Sequence, residues 1–270
     1  MLNFLYKFYS FLFIFFKSIN FLKEKKIVVL ICSYNNEKFC VKNILSVLNQ
    51  KYNNFRIIYV NDFSKDRTSE IIKSFVNYRK NIQFTLINNN YRKGNLRNKY
   101  EIINKYCLNN EIVVVLDGDD YLFCSYVLSY INYIYCKYKI WITFGNYIHA
   151  SGKRSSQRGY SHEIIHNNRF RESHHPSHLR TFYAKLFKKI NKTYFLDKNK
   201  KFFTTGEDKA SMIPMIELAG KKHYFINHIL YVYNDNNPLG LYKNYSIDDI
   251  KKKNRIQILS KKKLNPLNEI

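Results

Sequence analysis

Residues 112–120, IVVVLDGDD, carry five apolar positions, four of them β-branched, straight into three carboxylates within four places. β-Branched side chains suit a pleated surface, and an apolar run without alternation suits a strand covered on both faces, as at the centre of an α/β sheet. Asp117, Asp119 and Asp120 then stand at the carboxyl end of that strand, the edge where open α/β sheets hold their ligands. Carboxylates are costly to bury unpaired. Acidic residues on either side of Gly118 can present oxygens in one direction, a set suited to a hard divalent cation shared with substrate phosphates. Taken alone, the motif also fits a solvated acidic turn.

Upstream, the same strand-to-polar-turn pattern occurs twice. Residues 27–34 (IVVLICSY) read as a strand, followed by Val41, Ile44, Leu45 and Leu48 at helical spacing. Residues 55–60 (FRIIYV) form the next strand and end in Asn61 and Asp62, and residues 68–76 supply a helix with Ile71, Ile72 and Phe75 on one face. A strand over 82–87, a turn through Gly94 and a helix near 95–106 lead into the quoted strand. Strand and helix alternate, which predicts an α/β fold with a mostly parallel sheet and right-handed crossovers. Three polar strand ends, residues 33–37, Asn61 with Asp62, and residues 117–120, then face one edge.

Beyond a helix over 125–138 the alternation loosens. Residues 142–148 read as a strand with a glycine break, and residues 150–176 as a polar, His- and Arg-rich loop excursion. Leu179, Phe182, Tyr183, Leu186, Phe187 and Ile190 have the spacing of one amphipathic helix. Residues 207–219 predict another, which Pro214 should kink or split. A strand pair within 223–233 and a basic helix from Ser246 follow, and YVYNDNNP at 231–238 reads as a mobile segment closing over the site.

The chain has 270 residues, and 46% hydrophobic content is enough for a packed core and excludes a wholly disordered chain. Its formal charge of +25 would suit nucleic acid or an anionic surface, yet Lys, Asn, Ile, Tyr and Phe are abundant throughout, a general bias that raises charge without a dedicated face. Cys32, Cys40, Cys107, Cys124 and Cys136 form no CxxC pair and read as reduced core residues of a cytosol-facing protein. Residues 1–25 form a separate hydrophobic segment: apolar residues 11–16 lie between Lys7 and Lys17. That pattern suits attachment at the cytoplasmic face of a membrane or an amphipathic helix packed on a cytoplasmic domain. Residues 26–245 are expected to form one α/β domain bearing the three polar strand ends, and residues 246–270 a basic tail whose lysines could assist at an anionic surface.

ICSYNNE, then VLNQKYNNFRIIYVNDFSKDRTSEII, then VVVLDGDD resemble, in order and spacing, the opening and the DxD region of family 2 glycosyltransferases of the GT-A fold. The likeness is strong over residues 26–147 and weaker beyond. It implies metal-assisted transfer of a sugar, with inversion, from a nucleotide sugar, with a UDP-sugar the expected donor. Carried over, Asp62 binds the base, Tyr34 and Glu37 line base and ribose, and Asp117 serves both nucleotide and metal. The implied metal ligands are Asp119 first, then Asp117, then Asp120. Mn²⁺ and Mg²⁺ both suit such an oxygen site. Arg97 either adds charge against phosphate or lies on the surface.

The resemblance puts the base that deprotonates the acceptor hydroxyl in the pair that opens the helix after Gly206: Asp208 first, Glu207 second. Either acid would also suit a helix N-terminus for its dipole alone. His174, His175, His178 and Arg180 fall where an acceptor would enter, as saccharide, lipid-linked or protein acceptor, or have structural roles. The family's aromatic-rich helix after the acidic pair and its processive QxxRW signature are absent, which favours single transfer.

A sugar nucleotidyltransferase would want a glycine-rich phosphate loop after the first strand, and CSYNNEKF has none. A nucleic-acid-binding protein would account for the charge but not for three acidic strand ends facing one cleft, so no nucleic acid partner is expected. A sugar-binding protein without turnover would share the fold.

Overall fold

The computed structural model describes residues 22–173, 176–238 and 248–270. The alternation over the first half is realised. β1 (Ile27–Ser33), α1 (Cys40–Leu48), β2 (Phe55–Asn61), α2 (Thr68–Phe75), β3 (Gln83–Asn88), α3 (Asn95–Tyr106) and β4 (Ile112–Asp117) follow one another along the chain. β1 pairs in parallel with β2 on one side and β4 on the other. The expected burial on both faces is visible strand by strand. Ile27, Val29, Ile31, Ile112, Val114 and Leu116 pack into one core layer. Val28, Leu30, Val113 and Val115, the alternate positions, pack into the other.

After β5 (Tyr121–Leu122) and α4 (Val127–Tyr138), β6 (Ile142–Gly145) and β7 (Ile148–His149) flank the expected glycine break. The excursion over 150–176 contains a short helix, α5 (His162–His166), and a 3₁₀ turn (Phe170–Glu172). The single helix expected from Leu179 to Ile190 does not form: β8 (Arg180–Tyr183) precedes a short α6 (Ala184–Lys188). β8 enters antiparallel between β4 and β6, with Val113 opposite Phe182 and Val115 opposite Arg180. The apolar spacing suits a helix, but the ladder hydrogen bonds at the open edges of β4 and β6 decide the state, tertiary pairing overriding local pattern.

α7 (Glu207–Ala219) continues through Pro214 as one helix, and every residue from Ala210 to Ala219 is buried, so packing offsets the one hydrogen bond that proline removes. The strands expected over 223–233 do not pair with each other. β9 (His223–Ile226) lies parallel to β6, whereas β10 (Tyr231–Tyr233) lies between β5 and β7. The main sheet runs β3-β2-β1-β4-β8-β6-β9 and a small one β5-β10-β7. α8 (Asp248–Ser260) buries Ile258, and Arg171 donates to the Ile258 and Leu259 carbonyls while pairing with the fully buried Glu217 of α7. Residues 1–21, on which membrane attachment was expected, and Ser246 lie outside the described residues. Among the described residues no helix is long and apolar enough to cross a membrane.

Candidate active site

The parallel register lines up the polar strand ends: Ser33 opposite Asn61, Cys32 opposite Asp117, and Asn61 opposite Asn88. The turn after β4 is pressed against the end of β1. A Cβ on Gly118 would lie 2.5 Å from the Ser33 Cβ and 2.8 Å from Asn36 Nδ2, so only glycine fits there. Asn43 of α1 donates to the carbonyls of Asp117 at 2.9 Å and Asp120 at 2.7 Å and fixes the loop from below.

The three carboxylates of the turn meet different surroundings. Asp120 is 1% exposed; its Oδ1 accepts from the Asn234 N–H at 2.7 Å and its Oδ2 from the Tyr231 hydroxyl. Asp119 Oδ2 accepts from Asn237 Nδ2 at 2.7 Å. Among the described residues neither has a salt bridge with a cationic side chain. Burial pushes Asp120 well up, with Asp119 and Asp117 adding repulsion, and burial likewise raises Asp119. Two carboxylates short of positive charge, Asp120 buried and Asp119 half-buried, are a fitting seat for a divalent cation. Asp117, Asp120 and His178 can each aim a donor atom at one point, all within 4.8 Å of one another. The segment expected to close over the site supplies Tyr231, Asn234 and Asn237 to this wall.

Opposite the turn, α7 begins with Glu207 and Asp208. Arg180 on β8, 2% exposed, bridges the two sides: one nitrogen lies 3.1 Å from Asp117 Oδ2 and the other pairs with Asp208 Oδ1. Lys99, on the inward face of α3, stands 3.9 Å from Asp117 and 3.7 Å from Asp208. One turn earlier, Asn95 donates to Glu207 at 2.9 Å. Loss of solvent alone would raise both Asp117 and Asp208, but Arg180 and Lys99 hold them below the usual carboxylate range. Burial wins at Glu207, which is pushed up to about 7 with repulsion from Asp208 adding to it. His178 stacks on Tyr231 at 4.3 Å and lies 2.8 Å from an Arg180 nitrogen; burial and then that guanidinium hold its imidazole down to about 3, neutral and able to offer a lone pair.

Of the residues singled out in the sequence, Asp117, Asp119, Asp120, Glu207, Asp208, His178 and Arg180 converge here. Asp62, Tyr34 and Glu37 flank the cleft at the neighbouring strand ends. Asp62 accepts from Asn89 Nδ2 and from the Lys93 and Gly94 N–H groups, each at 2.8 Å, and so braces the loop into α3. Glu37 accepts from the Arg67 N–H at 3.0 Å, and the Arg92 guanidinium lies 3.9 Å from the Tyr34 ring. Arg97 points to the opposite face of α3 and pairs with Glu101 at 2.7 Å. His174 and His175 lie outside the described residues. The sequence reading missed Lys99, Asn95 and Asn43. The four-residue spacing of Asn95 and Lys99 was available as a signal, but abundant Lys and Asn elsewhere hid it.

A mostly parallel sheet of this order, with an acidic turn on its central strand and a second acidic pair opposite, defines a GT-A fold. Solved structures agree on that fold. S. aureus TarS 1–349 matches with a TM-score of 0.59 at 16% identity over 77% of this chain and 60% of that one. The same fragment in complex with UDP-GlcNAc also matches at 0.59, with 16% identity over 82% of this chain and 61% of that one. The mannosyltransferase PcManGT from Pyrobaculum calidifontis, in complex with GDP-Man and Mn²⁺, matches at 0.54, with 14% identity over 78% and 57%. The family model described as Glycosyl transferase family 2 matches residues 28–199, more than half of the chain, and the chain belongs to that family. An uncharacterized glycosyltransferase of Haemophilus influenzae is 29% identical over 106 residues, 39% of this chain and 32% of the relative. One of Rickettsia bellii is 41% identical over 63 residues, 23% of this chain and 9% of the relative. The chain thus spans less than half the length of these curated relatives.

Proposed function

We propose that this protein transfers a sugar, with inversion, from a nucleoside diphosphate sugar to an acceptor hydroxyl, and that a uridine nucleotide is its donor. The observation that carries the reading is the divided acidic centre: buried Asp120 and half-buried Asp119, neither paired with a cationic side chain among the described residues, next to Asp117, and Glu207 with Asp208 across Arg180 from them. UDP-GlcNAc in the TarS complex supports the donor class, and GDP-Man with Mn²⁺ in PcManGT supports a nucleotide sugar used with a divalent ion.

A divalent cation, Mn²⁺ or Mg²⁺, held by Asp119, Asp117 and Asp120 with His178 in reach, would neutralise the diphosphate as it leaves. The chain's own groups do the rest. Asp208 is partly exposed and, held low by Arg180 and Lys99, is ionised at neutral pH, so it can accept the acceptor's proton as the hydroxyl oxygen bonds to the anomeric carbon and the bond to diphosphate breaks. Arg180 and Lys99 hold that carboxylate in place, and Glu207 stands beside it on Asn95. Tyr34 and Glu37 at the first strand end, and Asp62 at the second, suit a base and ribose lying across the sheet edge.

The test is a panel of nucleotide sugars assayed for nucleoside diphosphate release with Mn²⁺ or Mg²⁺, in the wild type, Asp119→Asn and Asp208→Asn. Release from one donor, falling about a hundredfold or more in each variant, is the expected result. No release from any donor, or unchanged turnover in Asp119→Asn, defeats the reading. Membrane attachment through residues 1–22 rests on their composition alone; flotation of the full chain, but not of a chain lacking them, with anionic vesicles would establish it.

A further inference from the structure

The outward face of α3 forms one wall of a second cleft, of about 530 Å³. Arg97, Tyr100 and Glu101 line it at the i, i+3 and i+4 positions that share a helix face, away from Asn95 and Lys99. The other wall comes from the segment between the 3₁₀ turn Lys192–Phe195 and residue 202. Five cations surround the cleft against one carboxylate, and Glu101 is already committed to Lys93 and Arg97, each at 2.7 Å. Lys192, Lys200 and Lys201 have no salt bridge among the described residues.

An aromatic surface lies beneath Lys192. The Tyr100 and Phe202 rings are 5.5 Å apart, and the Lys192 ammonium stands 5.8 Å from the first and 5.7 Å from the second. Tyr100 is held in turn against Phe195 at 5.4 Å. A ligand whose anion pairs with Lys192 thereby has its uncharged part brought against two rings, which distinguishes this place from the lysines scattered over the rest of the surface. The cleft also adjoins the proposed active site along the chain. Lys93 precedes the Gly94 that Asp62 grips, and Phe202 lies five residues before Glu207.

We propose that this cleft binds a phosphorylated saccharide, the phosphate on Lys192, Lys200 and Lys201 and the sugar ring against Tyr100 and Phe202, and that it anchors a phosphate-bearing acceptor of the proposed transferase. The role as an acceptor anchor rests on the sugar-transfer reading; the binding site itself does not. A nucleotide is the poorer fit, because the one carboxylate of the lining is already taken up by Lys93 and Arg97 and leaves little to read a base.

Calorimetric titration of the full chain with glucose 6-phosphate, inorganic phosphate, methyl glucoside and uridine monophosphate, at one ionic strength, tests the site. Glucose 6-phosphate should bind about tenfold more tightly than phosphate or methyl glucoside. Lys192→Ser with Lys201→Ser should weaken it about tenfold, and Phe202→Ala should erase its advantage over phosphate. Asp119→Asn should leave it unchanged. Lys200→Asn, at an exposed turn position with φ 59° that asparagine adopts readily, gives a second variant and should weaken binding in the same direction. Equal affinity for all probes, tighter binding of uridine monophosphate that the lysine variants also abolish, or loss of binding in Asp119→Asn rather than in the lysine variants would overturn the proposal. Because the readout is binding without turnover, failure of the donor panel leaves this result standing, and the reverse also holds.

Discussion

Lys99 and Arg97 sit two residues apart on α3, and their circumstances are opposite. Lys99 is 5% exposed and faces Asp117 and Asp208, whereas Arg97 is 37% exposed and pairs with a neighbour on its own helix. On the inward face, partly exposed carboxylates crowd round two buried cations, Lys99 and Arg180, which hold them together. On the outward face, cations outnumber acids and solvent screens them. A charge out of water whose partner is removed costs several kcal/mol, while an exposed pair contributes a few tenths. The same residue types therefore carry different weights, and α3 is the divide.

The most severe way to break the inward side is Arg180→Met, which leaves Asp117 and Asp208 with the more distant Lys99 as their one shared cation among the described residues. Turnover should fall at least about a hundredfold and the melting temperature should drop, while Arg180→Lys, or guanidinium added to the Met variant, should restore part of the turnover. Turnover in the Met variant within threefold of wild type would mean that Arg180 positions nothing. Lys99→Met should act in the same direction but less, because Lys99 stands farther from both carboxylates than Arg180 does from Asp117.

A pH experiment sharpens the contrast within the acidic pair. Glu207 has its pKa raised from 4.5 to about 7, so between those values this carboxyl holds more proton in the folded state, and its contribution to stability should fall as pH rises through that window, against the rising contribution of His178, whose pKa is lowered from 6.5 to about 3. Asp208, held below its ordinary 3.8, works in the opposite sense: its contribution is present above that value and is lost as pH falls below it. Measured by melting curves, the stability of Glu207→Gln relative to the wild type should rise with pH between 4.5 and 7, because the variant lacks the falling contribution of Glu207. An unchanged slope would mean that another group titrates there. The smallest effect belongs to the outward face, where Arg97→Ala should change stability by less than about 0.5 kcal/mol and leave donor turnover within twofold. A larger loss of turnover would give Arg97 a part in the donor site that its pairing with Glu101 argues against.

Much of this was legible before any coordinates. The strands over 27–33, 55–61 and 112–117 and the helix over 95–106 follow from runs and spacings that admit one reading, because buried strands and one-sided helices leave different periods. Residues 179–190 did not yield to the same logic. Their apolar positions recur at helical intervals, yet Arg180 to Tyr183 complete a ladder between β4 and β6, a demand made by strands far away in the chain. The acids of the site were legible because a carboxylate at the end of an apolar strand stands out. Its cations were not, because one Lys among many looks like any other until the fold buries it.

The sequence by itself determined the layers, the three polar strand ends and the acidic residues, since periodicity and the cost of burying charge act locally. Only the tertiary structure decided that Arg180 bridges Asp117 and Asp208, that Lys99 faces inward while Arg97 faces out, and that Tyr231 and Asn237 close on the acidic turn. The spacing of apolar residues tells which face of an element is buried. Which charges meet across that buried face depends on the order and register of strands, and that is set by hydrogen bonds between parts of the chain far apart in sequence.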